Sequence, residues 1–126
     1  MFGKNKWFAI ITLAILFMAC DLEGGNKGDD GVIPLPPINV SASPQSSTDI
    51  NVSWDKVSNA DSYEVYYQTV SLPITRRATV KGTSYTDTGL QPNTTYNYYI
   101  KAKNNARTSD YSSRASATTH ARNATN

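Results

Sequence analysis

The chain has 126 residues, with 12 basic and 10 acidic side chains, one His, one Cys and 39% hydrophobic residues. That length suits one compact domain with appendages and argues against a second full domain. One Cys excludes an internal disulfide framework, and a single His beside a single Cys cannot furnish an ordinary zinc site, so neither metal nor cofactor is expected.

The first twenty residues carry two charges, Lys4 and Lys6, ahead of an apolar run from Trp7 to Ala19 broken only by Thr12. Thirteen residues in a helix reach roughly 20 Å, short of the roughly 30 Å of a bilayer's hydrocarbon core. A basic start, a short apolar stretch and a small residue at its end spell an export signal over 1–19. The one Cys of the chain, Cys20, follows Ala19 directly. This arrangement resembles the signal of bacterial lipoproteins, whose Cys becomes the lipidated first residue of the mature chain. The resemblance implies lipidation of Cys20 (a palmitate-type anchor), a membrane partner through that lipid, and a domain on the exported side of the cell membrane or outer membrane. The family prefers Leu three residues before the Cys and a small residue two before; here Phe17 and Met18 stand there, with Leu16 one place early.

Residues 20–36 hold Gly24, Gly25, Gly28 and Gly31 and then Pro34 and Pro36, with Pro37 following. Glycine favours a flexible coil and proline an extended backbone, so this stretch reads as a tether spanning about 20 Å. Beyond Lys4 and Lys6, ten basic residues balance ten acidic ones. A neutral remainder predicts no footprint for nucleic acid.

From Ile38 onward apolar residues recur every second position. Ile38, Val40 and Ala42 form one such series, followed by Ile50, Val52 and Trp54, then Tyr63, Val65 and Tyr67, then Tyr96, Tyr98, Ile100 and Ala102. Alternation of this kind predicts half-buried strands. Ser43-Pro44, Ser58-Asn59, Lys81-Gly82, Thr88-Gly89 and Pro92-Asn93 supply turn signals between them. The fold class expected is all-β, an antiparallel sandwich of about seven strands.

Pro36-Pro37 leading into Ile38, the Trp54 of INVSWDKV, the string Tyr63-x-Val65-x-Tyr67, and GLQPNTTYNYYIKAKN with Leu90, Pro92, Thr94, Tyr96, Tyr98, Ile100, Ala102 and Asn104 together resemble a fibronectin type III domain over 37–119. The resemblance implies an immunoglobulin-like sandwich with Trp54, Tyr63, Val65, Tyr67, Leu90, Tyr96, Tyr98 and Ile100 in its core. It implies that Leu90 plugs the base and that the Tyr96 hydroxyl bonds backbone a few residues upstream. Where the family often has Gly after Asn104, this chain has Arg107. Residues 120–126, with His120, read as a disordered tail.

No Ser-His-Asp or Cys-His arrangement is available, and most carboxylates, Asp29, Asp30 and Asp87 among them, read as turn-capping. The expectation is a module without catalysis. Strand parity turns Glu64, Tyr66 and Gln68 outward, and Asn97, Tyr99 and Lys101 likewise. In the resembled fold these strands are neighbours, so Tyr66 and Tyr99 share an outer face flanked by Gln68, Lys101 and Lys103. Exposed aromatics beside hydrogen-bonding groups suit a sugar ring or a protein contact, against the plainer reading of a stabilising cross-strand pair. A second candidate is the loop from Asn104 to Tyr111, with Arg107, Asp110 and Tyr111. Arg76-Arg77 reads as an exposed charge pair on an edge strand. The expected partner is a protein or carbohydrate; a ligand-free spacer and an accessory to an extracellular polysaccharide-degrading system are the alternatives.

Overall fold

The computed structural model describes residues 31–123. The chain divides into two units, 1–32 and 33–126; the export signal and Cys20 lie outside the described residues. Seven strands follow in order: β1 (Ser41–Pro44), β2 (Ile50–Ser53), β3 (Ser62–Gln68), β4 (Thr75–Val80), β5 (Ser84–Asp87), β6 (Thr95–Lys103) and β7 (Ala115–Thr118). They make two antiparallel sheets, β1-β2-β5 and β4-β3-β6-β7, and no helix occurs among the described residues. The period-two pattern thus yields an all-β sandwich, as the sequence predicts.

The alternating residues meet between the sheets. Ile50 and Val52 of β2 oppose Tyr63 and Val65 of β3 and the run Tyr96, Tyr98, Ile100 and Ala102 of β6, all buried in one cluster with Trp54 and Leu90. Tyr67 is partly buried against that cluster, its ring stacked 5.9 Å from Tyr96. Burying a large apolar side chain of this kind contributes about 1.5–3 kcal/mol. Trp54 lies just beyond β2, its ring 5.5 Å from Tyr63. The Tyr63 hydroxyl accepts from the Val57 amide at 2.8 Å, which fixes the loop between β2 and β3.

At the base, the Gln91 amide donates to the Tyr96 hydroxyl at 3.0 Å. Asn93 takes a φ of 49° in the turn before β6, a left-handed conformation that Asn tolerates better than most residues. Removing the hydroxyl strands the Gln91 N–H, so Tyr96→Phe is expected to cost about 1–3 kcal/mol. Urea denaturation checks this; an unchanged midpoint would show that water replaces the bond.

The structure departs from the sequence-based expectations at several places. Ile38 does not face the core: it is 66% exposed, and β1 starts only at Ser41. Asn39 has a φ of 53° and its side chain donates to Asp55 Oδ2 at 2.8 Å, and that left-handed residue breaks the alternation. Pro44 ends β1, and the turn falls after it, where the Gln45 amide donates to the Asp49 carbonyl at 2.8 Å. His120 still takes part in backbone pairing, its amide donating to Ser46 O and its carbonyl accepting from the Asn93 amide, both at 3.1 Å.

The largest corrections concern charge. Asp87 caps no exposed turn; it is 0% exposed. Its Oδ1 accepts from Arg77 Nε at 2.6 Å and its Oδ2 from the Tyr98 hydroxyl at 2.9 Å. Arg77 also donates to the Thr88 carbonyl at 2.9 Å. The register explains how an edge-strand Arg reaches the other sheet. Val65 pairs with Ala78 but Tyr66 pairs with Arg76, leaving Arg77 as the extra residue of a bulge, and a bulge re-aims a side chain. Arg77 of one sheet therefore clamps Asp87 of the other. The hydrogen bond to Asp87 raises the Arg77 pKa above its ordinary value. Burial first, and then the Asp87 charge, push the Tyr98 phenol far above its ordinary range. Both arginines are exposed on the edge strand β4, as expected, and each also holds a carboxylate, Arg76 that of Glu64 and Arg77 that of Asp87.

Candidate functional site

β3 and β6 pair along seven residues, from Ser62 opposite Lys103 to Gln68 opposite Asn97, and this register sets Tyr66 directly opposite Tyr99. Their rings share the outer face of the four-stranded sheet, as parity requires. Gln68 joins them, its Oε1 accepting from the Tyr99 hydroxyl at 3.2 Å. Glu64, expected in solvent on this face, is 7% exposed because its neighbours cover it. The Tyr66 hydroxyl donates to its Oε2 at 2.7 Å, while Arg76 Nη1 and Lys103 Nζ lie 3.3 and 3.9 Å from its Oε1.

Tyr111 reaches the same place from the loop. Its ring stands nearly perpendicular to Tyr66, with centroids 5.1 Å apart, and 5.8 Å from Tyr99 at 66°. The Lys101 ammonium sits 4.1 Å from the Tyr111 ring centroid and 5.7 Å from that of Tyr66. Two candidates that are separate in the sequence, the sheet face and the loop, are one cluster. Edge-to-face aromatic pairs contribute about 0.5–1.5 kcal/mol each, and a solvated cation over a ring about 0.5–1 kcal/mol.

Two serines hold Tyr111 there. Ser109 Oγ accepts from the Ala102 amide at 2.8 Å and donates to the Asp110 carbonyl. Ser112 Oγ accepts from the Ile100 amide at 2.9 Å and donates to the Ser113 carbonyl. Their own amides donate back to the carbonyls of Ala102 and Ile100. The segment thus runs beside β6 as a substitute strand with Tyr111 fixed between two buried serines, a rigid arrangement rather than a free loop. Sequence alone does not single out these serines, since nothing local distinguishes them from the other serines of the chain. At the loop tip, Asn104 Oδ1 accepts from the amides of Ala106 and Arg107 at 3.1 and 2.8 Å. Arg107 needs no left-handed backbone there, as its φ is not positive. Arg107 and Asp110 are exposed, and no described ring contact or salt bridge ties them to the tyrosines.

Residues 35–118 match the family model of the fibronectin type III domain. The chain belongs to that family. This fibronectin type III domain is 34% identical over 98 residues to an alpha-amylase of Niallia circulans, covering 75% of this chain and 7% of the enzyme. It is 37% identical over 82 residues to a poly(3-hydroxybutyrate) depolymerase of Delftia acidovorans, covering 63% of this chain and 15% of that protein. The chain therefore spans less than a fifth of either relative. Among solved structures, a Fn3-like protein from Clostridium thermocellum superposes with a TM-score of 0.61 at 29% identity, over 74% of this chain and 98% of that one.

The fibronectin type III domain is also more cationic than the whole chain suggests. Residues 31–123 hold nine basic and six acidic side chains, and four acids that hid this excess, Asp21, Glu23, Asp29 and Asp30, precede it. The ten basic and ten acidic residues beyond Lys6 do balance, but they are segregated along the chain, so a neutral sum conceals a cationic domain. No group of three or more His, Cys, Asp or Glu side chains poised for a metal occurs among the described residues.

Burial first, and then the bond to Glu64, push the Tyr66 phenol up to about 12. The folded state thus favours the neutral phenol. Its contribution to stability is intact below the ordinary tyrosine value of about 10 and is lost as pH rises through about 12. Wild type should lose stability more steeply over that alkaline window than Tyr66→Phe does. Equal slopes in denaturation at stepped pH would show that the fold does not hold this phenol neutral.

Proposed function

We propose that this protein is a lipid-anchored, non-catalytic binding module of the bacterial cell envelope, held at the membrane through Cys20 and displaying its sandwich on the exported side. In this reading 1–19 is removed, 20–36 is a tether, and the face formed by Tyr66, Tyr99, Tyr111, Lys101 and Gln68 takes a carbohydrate or a protein. The observation that carries the binding role is the preset tyrosine cluster: three aromatic rings and a cation, gathered from two strands and a pinned loop on one outer face. The serines that bond β6 also hold Tyr111 in place before any ligand arrives. The similarity to part of an alpha-amylase supports a sugar polymer over a protein and supports an accessory role beside polysaccharide-degrading enzymes.

The ring-to-ring contacts also favour a second reading, in which the cluster stabilises the sheet of a spacer and binds nothing. Site-specific photo-crosslinking in the native cell, from positions 66, 99, 107 and 111, separates the two. The binding module yields discrete adducts from 66, 99 and 111 and none from Ser84, which is exposed on the opposite sheet. Silence from the tyrosine positions in a folded protein would leave the spacer.

A further inference from the structure

On the reading that this face binds a ligand, we propose that the ligand is an acidic polysaccharide, a chain of pyranose rings bearing carboxylates. The outward positions of the four-stranded sheet carry Arg76 on β4, Glu64 on β3, and Lys101 and Lys103 on β6. Glu64 is the one carboxylate among them, and it is consumed: buried, it is shared by Arg76, Lys103 and the Tyr66 hydroxyl. Two cationic charges are left over, and Lys101 has no carboxylate within salt-bridge range among the described residues. Its ammonium rests on tyrosine rings, which hold a cation in place without neutralising it.

The spacing favours a polymer of modest charge density. From β4 across β3 to β6 is about 10 Å at ordinary strand separation, the span of a pair of linked pyranose rings with a carboxylate on each. Duplex DNA presents a charge about every 1.7 Å, far denser than this face can match. The rings also disfavour single-stranded nucleic acid, because Tyr111 stands edge-on over Tyr66 and Tyr99 and leaves no open pair of faces for successive bases. An extended acidic peptide binds through its backbone at a sheet edge, whereas these groups lie on the sheet's outer face. Tyr111 itself is 41% exposed, and one partly open ring beside unneutralised cations and the Gln68 amide suits the apolar face of a sugar flanked by charge.

The test uses the full chain in non-ionic detergent, titrated by calorimetry with oligogalacturonate, with neutral malto-oligosaccharide of matched length, with polyglutamate and with a single-stranded oligonucleotide. Oligogalacturonate should bind, more weakly as salt rises, and the other three should not. Lys101→Gln should weaken binding about two- to fivefold, Lys101→Arg should restore it, and Tyr111→Ala should weaken it further, each variant melting somewhat lower than wild type yet fully folded at the titration temperature. Equal binding of malto-oligosaccharide, insensitive to salt, would overturn the acidic character while leaving a sugar-binding face. Equal binding of polyglutamate or oligonucleotide would overturn the sugar and leave a general polyanion surface. Silence from all four probes, joined with silent photo-crosslinking, would overturn both this inference and the binding role beneath it.

Discussion

Replacing Arg77 by Met is expected to destabilise the domain by about 3–5 kcal/mol, because it abandons a carboxylate that is wholly buried. Met retains the packing of the aliphatic stem but not the guanidinium, whose carbon lies 5.7 Å from the Tyr67 ring centroid, so the loss is mainly that of the charge. The converse change should be milder. With Asp87→Asn the guanidinium, whose side chain is 36% exposed, can turn to water, and the amide still offers Tyr98 an acceptor. That variant should lose about 1–3 kcal/mol. The asymmetry follows from desolvation: the buried partner cannot escape its charge, whereas the half-exposed partner can. Urea denaturation of both single variants and the double variant forms a cycle. On the Asp87→Asn background, Arg77→Met should cost about 1 kcal/mol or less, and additive losses would contradict the clamp. Domains of this size bury only about 60–65% of their unfolded surface and have small margins, so the Arg77→Met protein is expected to be partly unfolded at growth temperature.

The second large effect is on location. Cys20→Ser should move the protein from the membrane fraction to the soluble or released fraction, with loss of labelling by radioactive palmitate. Each buried acyl methylene contributes about 0.8 kcal/mol, and two or more chains make anchoring stable, so the shift should be nearly complete rather than graded. Fractionation of cells expressing either form reads it. A Cys20→Ser protein that stays with the membrane would show that the apolar segment from Trp7 to Ala19 remains attached as an uncleaved anchor. The two variants act independently: one alters the fold at its centre, and the other leaves the sandwich untouched.

Much of the core is legible in the sequence, since a strand's faces alternate with fixed period and a buried face must be apolar. Ile50, Val52, Tyr63, Val65, Tyr98 and Ile100 announce themselves that way, and each is buried. The direct opposition of Tyr66 and Tyr99 is legible only through family resemblance, because parity assigns a face within one strand and says nothing of which strand lies beside it. Parity gives the face of Glu64 but not its burial. Its position is outward, but burial on the outer face depends on what the neighbouring strands lay across it, here Tyr66, Arg76 and Lys103.

By itself the sequence determined the all-β class, the alternation that builds the core, and the placement of its one Cys at the end of an apolar run, all properties of residues close together in the chain. The tertiary structure alone decided the rest. A single-residue bulge turned Arg77 toward Asp87 of the other sheet, and two serine hydroxyls bonded to β6 carried Tyr111 onto the tyrosine face. Both depend on groups at the right distance after the sheets have packed. Hydrogen bonds and ion pairs form wherever donors and acceptors meet in space, and no periodicity along the chain records those meetings.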